Sequence, residues 1–267
     1  MKKSCTVEPG ARVDLDDHDP DDTGSLRSEK EGKERLEALS EKLAKLQGLL
    51  YAENRHALLI ILQGIDASGK DGTVRKVLSG LNPLGVTVTP FKAPNQEELE
   101  HDFLWRIHRY TPRRGDIAIF NRSHYEDVLV VRVHDLVPKK VWKTRYDQIN
   151  EFERILVKNG TVVLKFFLHI SKEEQKRRFE ERLKDPEKYW KFSLADIEER
   201  KFWDDYMCAY EDALSRCSTK WAPWTIVPAN CKWYRNIVVA EGIVKALEEL
   251  DMKYPAATFD RSHVVID

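Results

Sequence analysis

Leu58-Leu59-Ile60-Ile61-Leu62-Gln63-Gly64-Ile65-Asp66-Ala67-Ser68-Gly69-Lys70-Asp71-Gly72-Thr73 is the stretch on which the fold turns. An unbroken apolar run of this length reads as a buried strand, and the turn after it carries G-x-x-x-x-G-K at the mouth of a helix. In such a loop the glycines let backbone N–H groups turn onto phosphate oxygens, and the helix N-terminus favours negative charge. The lysine adds a mobile cation for a phosphate in transfer. The expected cradle is Gly64, Ala67, Ser68, Gly69, Lys70, Asp71, Gly72 and Thr73.

Downstream the chain alternates. Strands are expected at 57–62, 86–91, 117–120, 161–169 and 224–227, and helices at 72–81, 96–110, 138–158, 172–183, 194–216 and 232–250. Five strands joined by helical crossovers predict an α/β domain with a parallel sheet. Upstream, Leu36, Leu39, Leu43, Leu46, Leu49 and Leu50 recur at three- and four-residue steps, which predicts an amphipathic helix over 28–52 packed on the core. Residues 1–27 are acidic and turn-rich without a hydrophobic period, and are expected to form an arm lying on the surface or partly disordered.

Two positions depart from the usual phosphate loop. The residue after the lysine is Asp71 instead of the Ser or Thr whose hydroxyl ligates Mg²⁺, so the metal must be held otherwise. Asp66 puts a carboxylate inside a loop that would repel its ligand unless a cation lay between them, which assigns Asp66 to Mg²⁺; a turn-capping Asp is the plainer alternative. The third strand runs into Phe120-Asn121-Arg122-Ser123-His124-Tyr125-Glu126-Asp127, with Asn121 where a carboxylate commonly stands. Asn121 orients without charge, leaving Glu126 and Asp127 as further candidates for the metal. Arg122 is placed to bridge donor and acceptor phosphates, or else to form an ordinary ion pair.

Composition limits the partners. Of 267 residues 42% are hydrophobic, enough for a core, and 44 Lys and Arg against 45 Asp and Glu give a net charge of −1. That argues against a nucleic-acid coat or a membrane-surface protein, so a polyanion would have to meet a local patch. No apolar run approaches the ~20 residues of a membrane span and no signal-peptide core follows Met1, so a cytoplasmic location is expected. Cys5, Cys208, Cys217 and Cys231 have neither C-x-x-C spacing nor zinc-like His partners and read as incidental thiols.

Three long motifs in order, at 63–72 (QGIDASGKDG), 120–128 (FNRSHYEDV) and 169–192 (HISKEEQKRRFEERLKDPEKYWKF), resemble the polyphosphate kinase 2 family, and the resemblance extends over about 50–254. It implies an adenylate-kinase-like three-layer α/β/α fold with a helical lid at about 172–200, after an arm and helix over 1–50. The activity implied is Mg²⁺- or Mn²⁺-dependent transfer of phosphate between inorganic polyphosphate and nucleotides (AMP, ADP, ATP) by a homo-oligomer. Asn121 is similar to the class III branch, which accepts both AMP and ADP. By position, Asp66 would organise the metal, Lys70 be the loop lysine, Arg122 face the reacting phosphates, and Arg182 close over the site from the lid with Arg178 on the same face.

A polyphosphate donor has no base, so its expected site is a basic track: Arg75, Lys76, Lys172, Arg177, Arg178, Lys188 and Lys191, each alternatively a solvated helix charge. The run Arg106, His108, Arg109, Arg113 and Arg114 is a second basic patch. Trp190 is the one tryptophan singled out for function, while His124 and His169, lacking a nucleophile partner, are read as supporting groups. Two other readings stay open: an ATP-dependent kinase of a nucleotide or small metabolite, and a nucleotide or polyphosphate sensor without turnover.

Overall fold

The computed structural model describes residues 6–259, 264 and 266; Cys5 and the other residues at 1–5 lie outside the described residues. The elements run α1 (Glu29–Glu53), β1 (Ala57–Gln63), α2 (Lys70–Val77), β2 (Val86–Pro90), α3 (Gln96–Leu99), α4 (Trp105–His108), β3 (Ile117–Asn121), α5 (Val130–Val133), α6 (Lys139–Lys158), β4 (Thr161–His169), α7 (Lys172–Lys184), α8 (Leu194–Glu199), α9 (Trp203–Cys217), β5 (Trp224–Pro228) and α10 (Lys232–Glu248). All five expected strands form, each within one residue at either end. They pair in parallel in the order β2-β3-β1-β4-β5.

Alternation along β1 divides two cores. Leu59 and Ile61 face a layer built on α6 and α9 with Phe120, Phe152, Tyr210 and Trp224. Leu58, Ile60 and Leu62 face α1, α2 and α10 through Leu43, Leu50, Val77 and Ile243. Successive side chains of a strand point to opposite faces, so a strand apolar at every position must be covered on both, which gives the three layers. Ser28 caps α1 by accepting from the Glu31 N–H at 3.2 Å, and Asn54 ends it in the left-handed conformation (φ 53°). Opposite Gly32 the Trp233 ring stands where a Cβ would lie 2.5 Å from it, so α1 and α10 approach closely.

Three expectations are corrected. The arm is no loose surface segment over 6–15: Val7, Val13 and Leu15 are buried in the α6/α9 core, and Thr6 bridges antiparallel to Thr225 of β5. Val7 N–H donates to Trp224 O at 2.8 Å and Leu15 N–H to Glu211 Oε1 at 2.9 Å. Three apolar residues without a period suffice when β5 supplies a free edge. The helix expected over 96–110 is two single turns, because the Asp102 carboxylate accepts from the Leu104 N–H (3.0 Å) and restarts the chain. That expected over 194–216 breaks at 200–202, where Arg200 donates to Lys172 O (2.7 Å) and Gln175 Oε1 (2.8 Å), pinning the chain to the start of α7.

Candidate active site

β1 and β3 are neighbours, but the chain leaves β1 toward β2 and leaves β3 for β4 on the opposite side. Their carboxyl ends therefore flank a crevice, the position where open α/β sheets bind ligands. The turn from β1 into α2 is held from outside. Arg178 of α7 donates through Nη1 to Ala67 O (2.8 Å) and Ser68 O (2.9 Å) and through Nη2 to Ala229 O (2.5 Å), while Gln175 donates to Asp66 O (3.0 Å). Carbonyls bound outward are the counterpart of N–H groups turned inward. Ala67 (φ 63°) and Gly69 (φ 101°) take the left-handed backbone this turn needs.

Inside the crevice Lys70, buried, folds onto the loop, donating to Gly64 O (2.6 Å) and Ile65 O (3.3 Å). Burial pushes its pKa down to about 8, and the Arg122 cation adds to the fall. Arg122, itself in the left-handed region (φ 64°), pairs with Asp66 and, through Nη1, with Glu126 Oε2 at 3.3 Å. Glu126 and Asp66 raise the Arg122 pKa against the opposing effect of burial. Gln63, with its amide donating to Glu126 Oε1 (3.1 Å) and accepting from Ser123, fixes that carboxylate from β1. Asn121 Nδ2 donates to Asp71 Oδ1 at 2.7 Å. The two atypical positions thus answer one another: the carboxylate has moved to the residue after the lysine, and a neutral donor has taken its place at the end of β3.

The crevice opens into a cleft of about 430 Å³ lined by ten Lys and Arg side chains against three acidic ones, Asp66, Asp71 and Glu181. Near-neutrality of the chain therefore coexists with concentrated positive charge around Lys70. Ala67, Gly69, Lys70, Asp71, Gly72, Arg75, Asn121, Arg122, Arg178, Arg182, Lys188 and Lys191 line it, as the sequence led one to expect. Arg182 reaches it from the last turn of α7, tied by Nη1 to Lys191 O at 3.1 Å and facing Asp196 at 3.6 Å.

Other expected site residues do not line the cleft. Gly64, Ser68 and Thr73 are turned away from it, Thr73 donating to Gly69 O (3.1 Å). Glu126 stands behind Arg122. Asp127 pairs with Arg145 (2.7 Å), and its burial raises it to about 6. Neither of these two carboxylates borders the cleft. Arg177 is neutralised by Glu174 and Glu181 on its own helix, and Lys76 and Lys172 also fall outside the lining. The Arg106–114 patch lies apart: Arg106 is buried against Lys92 O (2.9 Å) and the Phe91 ring, and Arg113 pairs with Asp116 (2.6 Å). Trp190 is 78% exposed beside Lys191.

His124 is fully buried against Glu153 (3.3 Å) in a network with Lys165 and Tyr125, and burial lowers its pKa; burial also takes His169 down to about 4. Neither borders the cleft. Sequence reading missed Phe91, Lys92, Glu181, Lys232 and Arg235 in the cleft wall. For Arg235 a signal existed: it interrupts the apolar stripe of α10, where a charge needs a reason.

A phosphate loop at the carboxyl end of a 2-3-1-4-5 parallel sheet, with lysine, paired arginines and the basic end of α7 around one crevice, defines a P-loop phosphotransferase. The family profile described as Polyphosphate kinase 2 matches residues 26–255. The chain belongs to that family. It is 52% identical over 266 residues to the AMP/ADP-polyphosphate phosphotransferase of Meiothermus ruber, covering 99% of this chain and all of that protein. It is 48% identical to the ADP-polyphosphate phosphotransferase of Rhodopseudomonas palustris, covering 96% and 93%. The crystal structure of Polyphosphate Kinase 2 from Arthrobacter aurescens TC1 superposes with a TM-score of 0.94 at 44% identity, over 97% of this chain and 94% of that one.

Proposed function

We propose that this chain transfers phosphoryl groups from inorganic polyphosphate to AMP and to ADP, using Mg²⁺. The observation that carries the reading is the cleft itself: nine Lys and Arg side chains line it together with Lys70, and its wall contains one aromatic ring, Phe91. That is a surface for two polyanions and at most one base. Both named relatives that match almost end to end act on polyphosphate, one of them with AMP and ADP.

Among the described residues no three His, Cys, Asp or Glu side chains converge into a ready-made metal cage. That suits Mg²⁺, which commonly takes one or two carboxylates and fills its shell with phosphate and water. Asp66 and Asp71 are the carboxylates on the cleft wall near the loop, and Asn121 orients the second. Mg²⁺ there would neutralise charge on the bound phosphates.

The acceptor is a nucleotide phosphate already ionised near neutral pH, so its oxygen needs no strong base, and repulsion between two anions is the larger obstacle. Lys70 and Arg122 stand at the junction where donor and acceptor meet, and Arg182 adds a cation as the lid excludes water. The acceptor oxygen attacks the terminal phosphorus, the bridging P–O bond breaks, and a polyphosphate one unit shorter leaves.

Incubating the protein with Mg²⁺ and long-chain polyphosphate, with AMP and ADP in separate reactions, tests this by product analysis. ADP from the first and ATP from the second are expected. No product from either overturns the reading, and product from ADP alone removes only the AMP activity. With the family resemblance the reading also carries a cytoplasmic location and a homo-oligomer, the latter measurable by native mass spectrometry.

A further inference from the structure

Arg235 lies in the first turn of α10 with 3% of its surface exposed, and it borders the cleft. A guanidinium so placed ordinarily rests against a carboxylate, since an unpaired buried charge is strongly unfavourable. Among the described residues none pairs with it. Its Nε and Nη2 donate to Asn236 Oδ1 (3.2 and 3.0 Å), and Nη1 donates to Ser68 O (3.3 Å). Burial, and then the nearby Arg178 cation, push its pKa down to about 9. Arg178 has Glu174 at 2.6 Å, a carboxylate that also serves Arg177, so none is left for Arg235 and a positive charge stays uncompensated beside the phosphate loop. Gly69 makes room for it: a Cβ there would lie 1.9 Å from Nη1.

The cleft has two sides. Toward β2 and β3 its wall holds Pro90, Phe91, Lys92, Asn121 and Arg122, an apolar ring with two cations. Toward β4, β5 and α10 the wall is Arg235, Lys232 and the lid, with no aromatic side chain. Lys232 is three residues before Arg235 on the same helix and sits 3.3 Å from Glu181 of α7. A nucleoside asks for a ring or an apolar slot, whereas a chain of phosphates asks for repeated charge.

We propose that Arg235 and Lys232 form the subsite for the donor's tail, binding polyphosphate units beyond the one cradled by the loop and selecting a polyphosphate donor over a nucleotide one. This rests on the polyphosphate reading of the same cleft and adds to it the residues that hold the part of the donor that does not react.

The test uses steady-state kinetics of the full chain and of Arg235→Gln, Arg235→Lys and Lys232→Gln. With saturating ADP and Mg²⁺, long-chain polyphosphate and tripolyphosphate are varied separately; ADP is then varied at saturating donor. The expected result is a rise of about tenfold in KM for long-chain polyphosphate in Arg235→Gln, the size of one lost charge-assisted contact. KM for ADP should stay within twofold, tripolyphosphate should show a smaller rise, and Arg235→Lys should recover part of the loss. Lys232→Gln, at an exposed position, should move the long-chain donor KM in the same direction without altering the melting temperature.

An unchanged long-chain KM in both Gln variants overturns the subsite. So does a parallel rise of donor and acceptor KM in Arg235→Gln, which would mean that Arg235 only shapes the loop through Ser68. If the unmodified chain makes no ATP from polyphosphate, the functional reading has failed and the subsite with it; if it does and the variants match it, only the subsite is lost.

Discussion

Lys70 is held in a place that disfavours its charge. Folded, it is pushed down to about 8 from the 10.5 of a free lysine, a gap worth roughly 3 kcal/mol against folding wherever it is protonated. Between these values the unfolded chain binds more protons, so ligand-free stability should rise from about pH 8 toward 10.5. Lys70→Met is therefore expected to raise the melting temperature at pH 7 while lowering kcat about 1,000-fold or more, which calorimetry and turnover assays check together. The same group should impose a falling limb near pH 8 on kcat/KM, and bound phosphates should carry that limb upward in kcat. At Asn121 the argument runs on spacing. Replacing it with Asp would set two carboxylates at the 2.7 Å now spanned by a hydrogen bond. Asn121→Asp should melt lower in chelator than the native chain and gain more from added Mg²⁺; equal Mg²⁺ shifts in the two proteins would refute this. Motif spacing made Lys70 and Asp66 legible in the sequence. The Asp71–Asn121 pair was not, because its partners are fifty residues apart and each looks like a defect when read alone.

Among the elements, the strands were the most legible, since burial on both faces leaves an apolar run that nothing interrupts. Helix continuity was less so: side-chain bonds from Asp102 and Arg200 break helices whose periodicity runs on past them. The arm was hidden because three buried residues spaced by acidic turns leave no period to detect. One of its holds on the sheet runs through Ser218. The hydroxyl donates to Val7 O (2.6 Å) and accepts from Trp224 N–H (3.0 Å) in a buried setting. Ser218→Ala strands both backbone groups, so a loss of about 2–3 kcal/mol is expected in urea titration. A loss within 0.5 kcal/mol would show that the arm contributes little to global stability.

For the whole molecule, the arrangement of charge matters more than its sum. An acidic arm and scattered surface pairs offset a cleft with ten cations, so attraction of a polyanion is local and unscreened only at low salt. Raising NaCl from 50 to 300 mM should increase KM for long-chain polyphosphate by about tenfold and that for ADP by much less, because a longer anion meets more of the cations. Equal salt dependence for both would count against a cleft that tracks the donor. The arm also sets an order of events. Val13 reaches Ser215 across 202 positions and Val7 reaches Ser218 across 211, so residues 6–15 are synthesised long before the strand they cover exists. Until then they have nothing to pair with, and Glu8, Arg12 and Asp14 keep them in water. When β5 emerges its outer ladder is exposed to any passing strand, and the waiting segment of the same chain is the nearest claimant. An early-made piece of the protein thus lies along the edge of the last-made strand, in a place that a strand of a neighbouring chain would otherwise find open.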